Sequence, residues 1–121
     1  MASLSPGNRK ALATVHDHHV SPRFDMTLEV VIAEKGPDGE VVDEKHFLLP
    51  EPSAEEICTI IQNERIHDVI CGGIEDAYCQ YLEWKKVKVY YNVIGPVDQV
   101  IRKWRRDSLS SDMIFRTDKP V

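Results

Sequence analysis

The stretch Asp68-Val69-Ile70-Cys71-Gly72-Gly73-Ile74 limits the folds open to this chain more than any other. A short apolar run reaches a thiol, turns at two glycines and gives way to a segment with helical spacing. A run this short, bounded by glycines, reads as a buried strand rather than a buried helix. Its end is where open α/β sheets take their ligands. The glycines let a ligand approach the backbone, N–H groups point outward there, and Cys71 adds a soft donor. The structural alternative is a plain tight turn, with Cys71 a small buried hydrophobe.

The flanking segments extend this unit. Residues 9–15 predict a first strand through Ala11, Leu12, Ala13 and Val15, followed by a polar loop of about ten residues with Pro22 in it. Residues 27–35 and 41–49 predict a hairpin closed by Gly36-Pro37-Asp38-Gly39. Ser53-Ala54-Glu55-Glu56 is a capping box, and Ala54, Ile57, Cys58 and Ile61 share one face of the helix it starts. Helix spacing returns over 75–86 with Ile74, Ala77, Tyr78, Tyr81 and Leu82, and strand alternation over 87–94. Gly95-Pro96 opens a third helix with a stripe of Val97, Val100, Ile101 and Trp104. The order βββαβαβα predicts a five-stranded mixed sheet, an antiparallel hairpin beside parallel strands, with three helices. If the first strand lies beside the fourth, the first loop and the diglycine turn open at the same end of the sheet.

A length of 121 residues predicts one domain over 9–107, between a flexible N-terminus at 1–8 and a C-terminal tail at 108–121. The net charge of −5 argues against general nucleic-acid binding, which needs a basic face. No apolar run matches a membrane span, and the first ten residues lack the apolar segment of a secretory signal. Cysteines at 58, 71 and 79 form no CxxC pair, which fits reduced thiols in a cytoplasmic protein.

With its elements in this order the sequence resembles the dinitrogenase iron–molybdenum cofactor biosynthesis family over about residues 9–105. The residues that carry the likeness are Ala11-Leu12-Ala13-Thr14, the loop with Val20-Ser21-Pro22-Arg23-Phe24, the early hairpin and the run from Asp68 to Ile74. Val87-Lys88-Val89-Tyr90 with Gly95-Pro96-Val97 completes it. The family includes carriers of nitrogenase cofactor precursors and the molybdenum–copper orange protein. The resemblance implies a ribonuclease-H-like α/β fold and a non-catalytic carrier of a metal–sulfur cluster or iron–molybdenum cofactor precursor. The cargo it implies is an iron–sulfur, iron–molybdenum or molybdenum–copper sulfide cluster. The implied partners are cofactor-assembly or cofactor-accepting proteins, with the chain itself a monomer or weak homodimer. The alternative on the same fold is a cluster-free interaction or regulatory module. Where the family commonly has Ser-x-His-Phe-Gly, this chain has Arg23 in place of the histidine and Asp25 in place of the glycine, and Glu75-Asp76 follow where a small residue is usual.

His16, His18 and His19 surround Asp17, and imidazoles suit several transition metals, so these three are the expected metal ligands. A solvated polar loop is the other reading. Arg23, Phe24, Cys71, Gly72 and Gly73 form the expected cofactor-binding set, in which a guanidinium and glycine amides suit a sulfido-metalate anion. Arg23 equally suits an ordinary ion pair with Asp25 or Glu75, and Glu75 and Asp76 would repel an anion at that helix start. Trp84, Trp104, Tyr78 and Tyr81 fall at helical spacing and predict core or interface packing, while exposed rings would mark a dimer contact. No catalytic residue is expected. Residues 9–15 hold no acid for a nuclease metal site, and the chain has no Walker loop and no Gly-x-Ser-x-Gly, so it is not expected to be an enzyme.

Overall fold

Strand β1 (Arg9–His16) is buried from Ala11 to Val15, on both of its faces. Such a strand needs neighbours on both edges and helices on both sides. A computed structural model, which describes residues 7–115, supplies them. The strand order is β4-β3-β1-β5-β6: β3 (Glu29–Lys35) is antiparallel to both β1 and β4 (Val41–Leu48), while β5 (Asp68–Ile70) and β6 (Lys88–Tyr90) run parallel to β1. Leu12, Val69 and Val89 stand in one row across the three parallel strands.

A sixth strand corrects the expected five. β2 (His19–Val20) folds back on the end of β1, pairing Val15 with Val20 and His16 with His19. The expected long loop is therefore a two-residue hairpin turn, a short strand and a 3-10 turn over Phe24–Met26. Asp17 and His18 make that turn with φ of 51° and 66°, the left-handed geometry whose twist matches hairpin strands. Asp and His carry a weaker turn signal than Asn-Gly, so the sequence pattern does not show it. β6 is also shorter than its alternation implies. After Tyr90 the chain leaves the sheet, and Asn92 turns at φ 55°.

Helices α1 (Ala54–Asn63) and α2 (Asp76–Trp84) lie on one face and α3 (Val97–Arg105) on the other, giving two cores. The Ser53 hydroxyl accepts from the Glu56 N–H at 3.1 Å, as the capping box requires. The predicted stripes of α1 and α3 are buried in full. That of α2 is not: only Leu82 is buried, Tyr81 is exposed, and Trp84 stands 73% exposed. α2 packs on β6, the edge of the sheet, so it has less surface to bury against. Leu109 is buried and Phe115 N–H bonds the Ile94 carbonyl, so residues 109–115 pack onto the domain. The expected flexible N-terminus over 1–6 and the tail over 116–121 fall outside the described residues.

Beneath the sheet's lower end a polar network joins β1, β5 and α3. The Asp68 carboxylate is 1% exposed and accepts from Arg9 Nε at 2.7 Å, Arg9 Nη2 at 2.9 Å and Trp104 Nε1 at 2.8 Å. Lys35 Nζ donates to the Trp104 carbonyl at 2.8 Å and to Asp107 at 2.9 Å while lying 4.5 Å from the Trp104 ring centre. Removing one partner of a buried charged network leaves the others unpaired. Asp68→Ala is therefore expected to lower stability by about 3 kcal/mol, read from the shift of the urea midpoint.

Candidate functional site

The carboxyl ends of β1, β5 and β6 meet at the diglycine corner. Gly72 N–H donates to the Ser21 carbonyl at 3.1 Å and Gly73 N–H to the Pro22 carbonyl at 2.8 Å. Phe24 N–H returns a bond to the Gly73 carbonyl at 2.8 Å, and Asn92 N–H bonds the Gly72 carbonyl at 2.9 Å. Residues 21–24 thus run beside 72–73 as a short parallel ladder. A Cβ on Gly72 would lie 2.5 Å from the Ser21 oxygen and 2.7 Å from the Pro22 oxygen. Glycine is demanded by this approach of one backbone to another. Gly72→Ala is expected to force the strands apart and cost about 2 kcal/mol or more, measured by denaturant unfolding.

This arrangement corrects the reading of Gly72 and Gly73 as free N–H donors for an anion. Their amides are taken up by carbonyls of the first loop. Phe24 is fully buried 6.0 Å from the Tyr78 ring and anchors that loop in the core. Arg23 is exposed and grips Asp25 with both ends of its guanidinium, at 3.1 and 2.8 Å. Cys71 is fully buried in the core beneath α1 and α2, and burial, with Cys79 nearby, pushes its thiol up to about 12. A motif selects these four residue types. Their placement follows from backbone bonding and burial, which the motif does not encode.

What the corner does build is a pocket. An open cavity of about 630 Å³ lies between the β1–β2 hairpin and the chain after β6. His16, Asp17 and His19 form one wall, Gly72 and Gly73 another, and Asn92 part of the third. Its apolar floor, Val20 and Val93, belongs to the core on the α3 face, away from the Cys71 side chain. His18 sits at the hairpin tip outside this lining, and its carbonyl accepts from Val97 N–H at the start of α3. The hairpin histidines and the diglycine corner are thus at the same end of the sheet.

His19 Nδ1 lies 2.9 Å from the Asp17 carbonyl. A carbonyl only accepts, so Nδ1 is the donor, and in the neutral ring the lone pair lies on Nε2. Among the described residues no group of three or more His, Cys, Asp or Glu side chains is placed to hold a metal ion. His16, Asp17 and His19 are the metal-donor side chain types in the pocket lining. Asn92, Val93 and Ile94 are lining residues that sequence reading misses, because their alternation continues that of β6. The one signal is Asn92 itself, a residue type enriched in left-handed turns.

The buried thiol has a measurable consequence. Its pKa in the folded chain lies above the unfolded value, so its contribution is full below about pH 8.5 and fades as pH rises toward about 12. The stability of the wild-type protein is expected to fall more steeply above that point than that of Cys71→Ala, in urea titrations at stepped pH.

Fold and pocket together define a three-layer α/β domain with an open pocket at the carboxyl rim of its sheet. No family model matches the sequence, and no curated protein does. Solved structures share the fold. The crystal structure of PH0822 superposes with a TM-score of 0.75 at 18% identity, over 85% of this chain and 94% of that one. A candidate dinitrogenase from Methanocaldococcus jannaschii (MJ0327) gives 0.70 at 23% identity, over 85% and 93%. A candidate NifB protein from Thermotoga (TM1290), of the DUF35 family, gives 0.63 at 16% identity, over 91% and 99%.

Proposed function

We propose that this protein is a non-catalytic carrier in nitrogenase-type cofactor metabolism, holding a metal–sulfur cluster or iron–molybdenum cofactor precursor in the pocket beside the diglycine corner. The observation that carries this reading is the meeting of His16 and His19 with Gly72 and Gly73 around one open cavity of about 630 Å³. The His19 tautomer leaves Nε2 as a ready ligand. A cluster brings its own sulfides and needs few protein donors, which suits a site with two imidazoles and no reachable thiolate. The names of two structural neighbours, a candidate dinitrogenase and a candidate NifB protein, point the same way. The strand order is read as ribonuclease-H-like. The protein is read as a cytoplasmic monomer or weak homodimer whose partners are cofactor-assembly or cofactor-accepting proteins.

Phe24 and Cys71 support the pocket from the core in this reading, and Arg23, tied to Asp25, lies at its margin. His18 orients α3 through its carbonyl.

The test is anaerobic reconstitution of the full chain with ferrous iron and sulfide, and separately with tetrathiomolybdate. A visible absorption band that stays with the protein through gel filtration, with metal bound in fixed ratio, is the expected result. Loss of a mere supporting partner costs about 10–100-fold in metal affinity, so His16→Ala/His19→Ala should lose at least as much. Protein that stays colourless and metal-free with both reagents overturns the carrier and leaves the cluster-free interaction module.

A further inference from the structure

The end of the sheet opposite the pocket gathers cations around an exposed aromatic ring. The His67 carbonyl accepts from Lys88 N–H at 2.9 Å, which sets the connections into β5 and β6 side by side. Arg65, Lys85, Lys86 and Lys88 stand on these connections, all exposed, and none has an ion-pair partner among the described residues. The acids at this end include Glu64, shared between Lys10 and Lys45, Glu34, which acts on His67, and Glu83 beside Trp84 in sequence. In their midst Trp84 is 73% exposed, with Lys85 Nζ 5.0 Å from its ring centre. The ring is left in water by a helix that buries only Leu82, and it is open to contact with another molecule.

Backbone geometry adds a second observation. Arg65 and Lys86 end α1 and α2 with φ of 56° and 68°. Glycine takes this helix-stop position without strain; Arg65 and Lys86 hold it here, as Asp107 does after α3.

We infer that this rim docks an acidic protein segment that carries an apolar or aromatic residue. Its carboxylates pair with Arg65, Lys85, Lys86 and Lys88, and its apolar residue seats on the Trp84 ring. An extended polyanion is disfavoured. The chain carries a net charge of −5, and the first turns of all three helices, at the other end, hold Glu55, Glu56, Asp76 and Asp98. A short acidic segment meets the cations alone, whereas a nucleic acid or anionic bilayer also meets the repulsion of the remainder. The surface is remote from the pocket, and its test is independent of the cargo.

A fluorescein-labelled peptide of glutamates around one phenylalanine is the probe, titrated against the full chain. Trp104 is buried and Trp84 is not, so changes in tryptophan emission report on Trp84. The expected result is saturable binding with a blue shift and protection of Trp84 from acrylamide. Lys85→Glu/Lys86→Glu and Trp84→Ala should each weaken binding at least about tenfold, and added salt should weaken it further. Lys86→Gly should also weaken binding while leaving the thermal midpoint unchanged or higher, which a purely structural role for the lysine would not produce. Absence of saturable binding overturns the inference. So does tighter binding of oligothymidylate or of phosphatidylserine vesicles at the same residues, or a peptide-independent dimer that the double lysine variant dissolves.

Discussion

The site depends on one close approach, where the backbone of Gly72 passes against the carbonyls of Ser21 and Pro22 with no room for a Cβ. Four backbone bonds converge there, from the first loop, the diglycine corner and the chain after β6. They bring segments far apart in sequence to one rim and fix the height of the β1–β2 hairpin above the sheet. These bonds use the glycine amides, so in the proposed carrier recognition falls to side chains, chiefly the imidazoles of His16 and His19 that line the pocket.

The same strand is held at its other end by charge. β5 is only three residues long, from Asp68 to Ile70. Its first residue receives Arg9 and Trp104 in a buried network, and beyond its last residue come Cys71 and the diglycine corner. A central strand this short has few ladder bonds of its own. Its position is set by a carboxylate at one end and a glycine at the other, with Val69 and Ile70 filling the cores on opposite faces between them.

The three helices follow parallel strands or a crossover, so their N-termini share the pocket end and their C-termini the opposite one. Acidic residues in the first turns of all three helices, and Arg102, Lys103 and Arg105 in the last turn of α3, complement the helix dipoles. The proposed cargo pocket and the proposed docking rim therefore lie at opposite ends, and a partner held at one leaves the other open. Trp84 is exposed for a related reason. α2 covers the sheet edge at β6, and the last turn of an edge helix extends past the surface it packs on.

Local chemistry in the sequence determined the elements whose signals are local. The Ser53 cap, the Gly36–Gly39 turn, the stripes of α1 and α3 and the hairpin of β3 and β4 all depend on neighbours within a few residues. The diglycine corner was also legible as a strand end. The sixth strand was not, because Asp17-His18 is a weak hairpin signal, and the shortening of β6 and the fate of the corner's amides were not, because each is set by a partner distant in sequence. Ser21 and Gly72 share a hydrogen bond across some fifty residues, and nothing in either segment announces the other. The sequence by itself determined which residues could bind. Only the tertiary structure decided which of them face a common pocket, because burial and backbone pairing, not residue type, took Phe24, Cys71 and the glycine amides out of solvent.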